Sequence, residues 1–579
     1  MLIRFQPSGR TLSLPSGITL YEAALAAGIP LRAPCGCKGT CGKCKLHITQ
    51  GEPLGWHLAC QTRISSDCTV DIPAAALENS SQQILTDSSG ASASFHFKPA
   101  VQFPLTEGRN DFYGIAFDLG TTTIVGTLYD LSTGAECAVA SSLNGQIPFG
   151  DDVVARIDSA RRSPDSAAQM QRAAVASLND IIASLLKTKN CILKTSPILD
   201  ITLAGNTAMQ QLVLGMDVTA LGEIPFTPAF HAPQSLLAAS IGLNVHPDAK
   251  LFVFPQIGGF VGGDTVAGIL AAGLDRVESP TLFMDIGTNG EIVLALPGGK
   301  LLATSAAAGP AFEGARISQG MRATTGAIDK IRFEDGAFHF TTIGNAPPIG
   351  LCGTALIDAV AECLHYHLVD VTGLIASPDE WERDYGTTGL QDGTTGEREG
   401  TMGEREVKFP SIGGVPVHTP PFPSVGGVPE GRGGSSFLLI PDGDNVAIAL
   451  TPTVRLIQRD IRELQLASGA LRAAAEMLLQ RAGLTAADLD AVLLAGAFGN
   501  YIRRENALRI GLFPAVPVEK VKFIGNAASH GARMALLSTD ERDRAATAAR
   551  TAEHVELGAD PDFQNAFAMA MMFPEEELQ

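Results

Sequence analysis

No run of 18 apolar residues occurs in this 579-residue sequence, so no membrane-spanning helix is expected. Positive charge is scarce. Forty-two Lys and Arg face 61 Asp and Glu, a net −19, which disfavours nucleic acid and anionic membrane surfaces as partners. That deficit leaves small anionic ligands open, because backbone amides bind phosphate without any net positive charge. No G-x-x-x-x-G-K-[ST] is present, which excludes a P-loop. The start, MLIRFQPSGR, lacks the long apolar core of a secretory signal, so the expected compartment is the cytoplasm, where disulfides are rare. What is abundant is apolar residues, 45 %, and glycine, 61 residues. Such a chain can build sizeable α/β cores with many tight turns, in about three or four domains by the rule of roughly 150 residues each.

The first 75 residues read as a small unit. Leu2, Ile3 and Phe5 begin a strand, Pro7-Ser8-Gly9 turns, and Leu12 and Leu14 continue as a second strand. Thr19 caps a short helix from Tyr21 to Ala27, ended by Gly28. Lys45 to Thr49 and Cys68 to Ile72 are further strands around a long cysteine loop, a β-grasp outline. Five of the ten cysteines lie between positions 35 and 60. Clustering in a reducing compartment argues for a metal or cluster site, and scatter (Cys68, Cys137, Cys191, Cys352, Cys363) for small apolar core residues.

The loop is Pro34-Cys35-Gly-Cys37-Lys-Gly-Thr-Cys41-Gly-Lys-Cys44, followed by Cys60, giving C-x5-C-x2-C, then x15, then C. Plant-type [2Fe–2S] proteins use C-x4-C-x2-C…C, so the first gap is one residue longer here. Glycines let the backbone approach and donate N–H groups to cluster sulfurs. The expected ligands are Cys35, Cys41, Cys44 and Cys60. Cys37 is an alternative to Cys35 through C-x3-C, although it occupies a position where glycine would serve. A zinc site or free thiols are the competing readings, and no histidine sits at zinc spacing within the loop.

Residues 78–110 are rich in Ser, Gln and Asn and read as a partly ordered linker. From 112 onward short apolar runs end in Gly-rich turns, which predicts parallel or mixed sheets with ligand groups at strand ends. Residues 378–435 break this pattern. GERE occurs at 396–399 and 403–406, and Phe409-Pro-Ser-Ile-Gly-Gly-Val-Pro416 recurs as Phe422-Pro-Ser-Val-Gly-Gly-Val-Pro429, so a low-complexity surface insertion is expected, with a polyproline-type docking segment as the alternative.

Ile115-Ala-Phe-Asp118-Leu-Gly120-Thr121-Thr122-Thr123 reads strand, tight turn, strand. A carboxylate at the strand end can hold hydrated Mg²⁺, and the Gly-Thr-Thr turn offers amides and hydroxyls to phosphate oxygens. Phe283-Met-Asp285-Ile-Gly287-Thr288-Asn289-Gly290-Glu291 repeats the grammar 167 residues later, and Leu494-Ala-Gly496-Ala-Phe-Gly499-Asn500 would suit the adenosine. Glu313, near Gly309, could aim at magnesium or the attacking water, or simply be solvated or capping. Gly205, Asn206 and Thr207 lie at a strand end, facing nucleotide or partner, or forming an ordinary turn. Asp264, among four glycines, is placed to meet phosphate-bound water.

The ordered trio of motifs resembles the phosphate-1, phosphate-2 and adenosine motifs of the ASKHA superfamily, which includes acetate and sugar kinases, Hsp70, actin and the dehydratase activators. Within it the chain is most similar to the reductive activators of corrinoid enzymes that carry an N-terminal [2Fe–2S] domain. Further residues carrying this resemblance are Asn144-Gly-Gln146, Phe149-Gly150-Asp-Asp-Val153, Gly258-Gly-Phe260-Val-Gly-Gly-Asp264, Gly309-Pro-Ala-Phe312-Glu313-Gly314, Cys352-Gly-Thr and Asp460-Ile-Arg-Glu-Leu-Gln465.

The resemblance implies a multidomain α+β and α/β fold. A β-grasp ferredoxin-like domain (1–77) and linker (78–110) would precede a middle domain (111–200) and a large C-terminal ASKHA, RNase H-like ATPase domain (201–579). It also implies a homodimer using a [2Fe–2S] cluster, ATP and Mg²⁺, served by an external low-potential electron donor. The implied partner is a corrinoid protein whose cob(II)alamin is reduced to cob(I)alamin. A plant-type cluster lies near roughly −400 mV, and the resemblance implies a cobalt centre harder to reduce. Each ~30 mV of gap is worth about 0.7 kcal/mol for one electron, half the two-electron value, so nucleotide chemistry has a gap to offset. The rival readings are an ASKHA-type small-molecule kinase with an accessory cluster and a ferredoxin-like carrier.

Overall fold

Alternation of period two shapes the N-terminal unit. In β1 (Leu2–Gln6), Ile3 and Phe5 are fully buried and their neighbours face outward. The strand pairs antiparallel with β2 (Arg10–Ser13). Helix α1 (Leu20–Ala26) starts in a capping box: the Glu22 amide donates to the Thr19 hydroxyl, and the Thr19 amide donates to the Glu22 carboxylate. With β3 (Lys45–Gln50), β4 (Gly55–Leu58) and β5 (Cys68–Asp71), the sheet order is β2-β1-β5-β3-β4, β1 and β5 running parallel. Strand β4 escapes the sequence reading because Gly55-Trp-His-Leu58 is short and shows no apolar alternation.

The computed structural model describes residues 1–29, 31–32, 37, 39, 42–73, 76–77, 93–100, 112–150, 152–187, 198–334, 336–384, 438–443, 445–496, 502–558 and 560–575.

Two larger sheets share a five-stranded core topology, each extended by a sixth strand at a different edge. The first contains β6 (Tyr113–Leu119), β7 (Thr123–Asp130), β8 (Glu136–Leu143), β9 (Ile198–Gly205), β10 (Gln234–Leu237) and β11 (Lys250–Val253), in the order β10-β11-β9-β6-β7-β8. The second starts with β12 (Thr281–Ile286), β13 (Gly290–Leu296) and β14 (Lys300–Ala306). After them come two three-stranded sheets, one of β15 (Ala327–Glu334), β16 (Ala337–Thr342) and β17 (Gly350–Leu351), the other of β18 (Leu439–Asp442), β19 (Asn445–Ala449) and β20 (Arg455–Ile457). The second large sheet is completed by β21 (Ala491–Ala495), β22 (Val521–Phe523) and β23 (Glu553–His554), in the order β22-β21-β12-β13-β14-β23. In each large sheet a central strand (β6, β12) has a parallel neighbour on one side (β9, β21) and the first hairpin of a meander on the other. The tight turns β6–β7 and β12–β13 therefore occupy equivalent places.

The α-helices after α1 are α2 (Val153–Arg162), α3 (Pro164–Lys187), α4 (Thr207–Val213), α5 (Gly263–Ala272), α6 (Gly353–His365), α7 (Pro378–Asp384), α8 (Gln458–Ala482), α9 (Arg504–Arg509), α10 (Ala527–Leu537), α11 (Thr539–Thr551) and α12 (Pro561–Ala570). Helices α5 and α10 pack between the two large sheets. Their core joins Ala116, Ala204 and Phe252 of the first sheet to Phe283, Val293 and Ala303 of the second. Strands covered on both faces read as continuous apolar runs, which is why β6 and β12 lack alternation. The outer face of the first sheet is covered by α3, and α8 packs across β13 and β14.

Several expectations are corrected. A domain boundary at 200/201 falls inside β9, the direct neighbour of β6, so the first large sheet extends to Val253. The low-complexity insertion expected from 378 begins later, because Pro378–Asp384 is helical and Trp381 is buried. Its remainder to 435 lies outside the described residues. The partly ordered linker expected at 78–110 is not among these corrections; there residues 93–100 dock, the Ala93 amide donating to the Ala271 carbonyl and Lys98 pairing with Ser538. Cys137, expected buried, is half-buried on strand β8, while Cys68, Cys352 and Cys363 are buried; Cys191 lies outside the described residues.

Candidate functional site

Strand ends and helix starts converge on a cleft between the two large sheets. The first turn follows Asp118. A Cβ on Gly120 would lie 2.5 Å from the Thr123 carbonyl oxygen, so the turn closes only around glycine. Behind it, the Asn144 amide donates to the Gly120 carbonyl at 2.9 Å, and the fully buried Arg156 guanidinium donates to the Thr121 carbonyl at 2.6 Å and the Gly150 carbonyl at 2.8 Å. In the second turn the Gly287 amide donates to the Asn289 carbonyl at 3.1 Å.

One carboxylate ties these turns together. Glu313 accepts from the Thr122 hydroxyl at 2.7 Å and, through its other oxygen, from the Thr288 hydroxyl. The two threonines thus meet on one side chain although 166 residues separate them (288 − 122). Gly309, at φ +74°, has open space where a Cβ would sit.

Below the turns lies a group of acids. Asp118 accepts from the Asn526 amide at 2.7 Å, yet burial pushes its carboxyl up to about 6. Burial first, then the charges of Asp264 and Asp118, push Asp285 up to about 7. Asp264, at the start of α5, is pushed to about 7 by burial, with Asp118 adding to the effect. Glu291 is raised well above its ordinary value by burial and by Asp264 and Asp285. Burial, with mutual repulsion at Asp264, Asp285 and Glu291, holds these carboxyls toward their neutral forms, and among the described residues no group of three or more His, Cys, Asp or Glu is spaced to hold a metal ion directly. Glycine at 496, φ +97°, completes the floor: a Cβ there would lie 2.5 Å from the Ile286 carbonyl and 2.7 Å from the Asp285 carboxylate.

Other expected residues serve the scaffold. Asn206 caps α4 through the Ala208 amide and donates to the Phe260 carbonyl at 3.3 Å, and its side chain also hydrogen-bonds Glu291 of the acid group. Thr207 is fully buried, its hydroxyl bonded to the Gly258 carbonyl, and Gly205 lies directly against the Leu119 carbonyl. Gly499 lies outside the described residues. Arg156 and Asn526 were not among the candidates. Neither carries a local signal, because their partners lie 35 and 408 residues away. His530 is buried with neither ring nitrogen hydrogen-bonded.

In the N-terminal unit, Cys44 and Cys60 are buried with their sulfurs 3.3 Å apart. Cys37 adopts φ +62°, the left-handed conformation that suits glycine. The Gln61 amide donates to the Cys37 carbonyl at 2.6 Å and to the Cys60 sulfur at 3.5 Å. Converging soft thiols with a donor aimed at sulfur fit a thiolate-held cluster. Cys35 and Cys41 lie outside the described residues.

Paired phosphate-type turns on two like sheets, with acids beneath them, define an ASKHA-type nucleotide clamp, joined here to a β-grasp thiolate domain. Family models agree: "2Fe-2S iron-sulfur cluster binding domain" matches residues 3–65, "RACo middle region" 113–277, and "C-terminal domain of RACo the ASKHA domain" 279–399 and 432–579. The chain is 30 % identical to the "Corrinoid activation enzyme RamQ" of Eubacterium limosum, over 95 % of each chain. It is 25 % identical to the "[Co(II) methylated amine-specific corrinoid protein] reductase" of Methanosarcina barkeri, over 80 % of this chain and 77 % of that one. A solved "Reductive activator for corrinoid,iron-sulfur protein" superposes with TM-score 0.66 at 25 % identity, covering 100 % of this chain and 99 % of the other. The chain belongs to the RACo family, the reductive activators of corrinoid enzymes. Its cofactors are a [2Fe–2S] cluster and ATP, with the Mg²⁺ usual for such domains.

Proposed function

We propose that this chain is an ATP-hydrolysing reductive activator that returns a corrinoid protein of a methyltransferase system from cob(II)alamin to cob(I)alamin. The observation that carries the reading is one polypeptide holding both a thiolate loop and a nucleotide clamp whose two turns meet at Glu313. The names of the relatives support the partner class.

When bound, the cluster supplies one electron at low potential. The chain's own residues do the rest. Thr121 and Thr122 with their turn amides, and Thr288 and Asn289 with theirs, grip phosphate oxygens from two sides. Asp118 and Asp285 would hold magnesium through its water shell, and Asn526 fixes the Asp118 rotamer. Glu313 orients the attacking water and exchanges its threonine partners as phosphate enters. No covalent catalyst is required, because phosphoryl transfer to water runs on positioning and electrostatics. Each activation consumes one electron, so an external donor reloads the protein.

The test is to mix the purified chain, reductant and a Co(II) corrinoid protein with and without Mg-ATP, and to follow the cobalt absorbance. Reduction that needs hydrolysable nucleotide is expected; equal reduction without nucleotide overturns the proposal.

A further inference from the structure

The cluster loop and the nucleotide turns are linked by a short physical path. Lys43 lies between Cys41 and Cys44. Its ammonium reaches out of the N-terminal unit and donates to the Ile317 carbonyl at 2.6 Å and the Ser318 carbonyl at 3.3 Å. Ile317 is only four residues beyond Glu313, the side chain that joins the two phosphate turns.

The intervening segment is stiff. Gly314 (φ +71°) and Gly320 are closed against each other: a Cβ on Gly320 would lie 2.2 Å from the Gly314 carbonyl, and one on Gly314 would lie 2.5 Å from the Met321 amide. Arg316 holds φ +64°. Ser318 is pinned from the far side, its amide and hydroxyl donating to Asp460 at 2.7 and 2.6 Å in the first turn of α8. The seam around Lys43 is loosely filled by comparison. A cavity of about 370 Å³ opens there between Trp56 and Pro73 on one side and Met321 and Arg322 on the other. The apolar core of the N-terminal unit contains residues of that unit alone. A polar strap across a hollow seam can move without breaking a packed core.

We propose that Lys43 is a positioning residue through which the nucleotide turns set the seating of the cluster loop. Phosphate entering the clamp competes for the Thr122 and Thr288 hydroxyls, which displaces Glu313. The closed 314–320 loop carries that displacement to Ile317 and Ser318, and Lys43 passes it to the segment between Cys41 and Cys44. The inference rests on the ATP-dependent reading above and deepens it by naming the mechanical link.

The experiment uses the full chain with its cluster. The midpoint potential and the EPR signal of the reduced cluster are recorded with and without Mg-AMPPNP. In the wild type the nucleotide is expected to shift both. Lys43→Met should abolish the shift with iron content and basal ATPase unchanged, and Lys43→Arg should restore it. A wild-type shift in Lys43→Met overturns the inference. So does a wild-type protein whose cluster ignores nucleotide; nucleotide-dependent cobalt reduction in the same preparation would then leave the reading of function standing. Should Lys43→Met lose iron, Asp460→Asn, which loosens Ser318 from outside the cysteine loop, decides: a diminished shift supports the strap and an undiminished one overturns it.

Discussion

Replacing Asp285 by Asn tests the electrostatics of the clamp directly. Burial, Asp264 and Asp118 together lift this carboxyl from 3.8 to about 7. A carboxyl raised in the folded state binds its proton more tightly there than in the unfolded chain. It therefore costs nothing at low pH and destabilises progressively as pH climbs from the unfolded to the folded value. At about 1.4 kcal/mol per pH unit, the span from pH 5 to pH 8 costs at most about 3 kcal/mol, most of it below pH 7. The side chain keeps an edge open to the cleft, and water reaching that edge lowers the figure. Asn has the same shape and cannot ionise. Without added Mg²⁺, Asp285→Asn should therefore gain stability relative to wild type as pH rises, by about 2–3 kcal/mol between pH 5 and 8. Thermal and urea unfolding of both proteins at each pH measure this. Saturating Mg²⁺ should shrink the difference, because the cation stabilises the ionised wild-type cluster. A wild-type-minus-variant difference that stays flat from pH 5 to 8, or moves the other way, refutes the reasoning.

Three further outcomes are expected. Glu313→Gln exchanges a charged acceptor of two hydroxyl hydrogen bonds for a neutral one; a loss of about 2 kcal/mol in coupling, or roughly 30-fold in ATPase kcat, should follow, and wild-type turnover would exclude a role for this bridge. Gly496→Ala places a methyl against Asp285 in a left-handed backbone that costs about 1–3 kcal/mol, so steady-state ATPase should fall at least about fivefold while the visible spectrum of the cluster is retained. Cys60→Ser should lose iron, sulfide and visible absorbance while binding nucleotide with unchanged affinity by calorimetry; a full iron content would remove Cys60 from the ligand set.

The parts of the site that are written locally are the parts legible in the sequence. Asp118-Leu-Gly-Thr-Thr and Asp285-Ile-Gly-Thr-Asn each contain their own turn chemistry, and the cysteine spacing needs no tertiary information. The Thr19 cap and the alternation of Ile3 and Phe5 are local too, so the β-grasp outline is recoverable from 75 residues. Arg156 and Asn526 are a different case. Each is an ordinary polar residue on or beside a helix until a backbone carbonyl or carboxylate from another element meets it. Glu291 reads as the end of a motif and turns out to be a buried acid on β13, because nothing in its neighbours announces that Asn206 and Asp264, from the first half of the fold, meet it. The misplaced boundary at 200 has the same origin. The polar stretch before Ile198 has the composition of a linker, but β9 inserts beside β6, and strand order is a non-local property.

The 408 residues between Asp118 and Asn526 bear on how the enzyme comes into being. The first turn is among the early products of translation of the ATPase half, yet the amide that holds its carboxylate is made 408 residues later. β21 and β22 flank β12 on the same late schedule. A nascent chain therefore carries the whole sequence of the N-terminal thiolate unit while the nucleotide clamp is still unfinished.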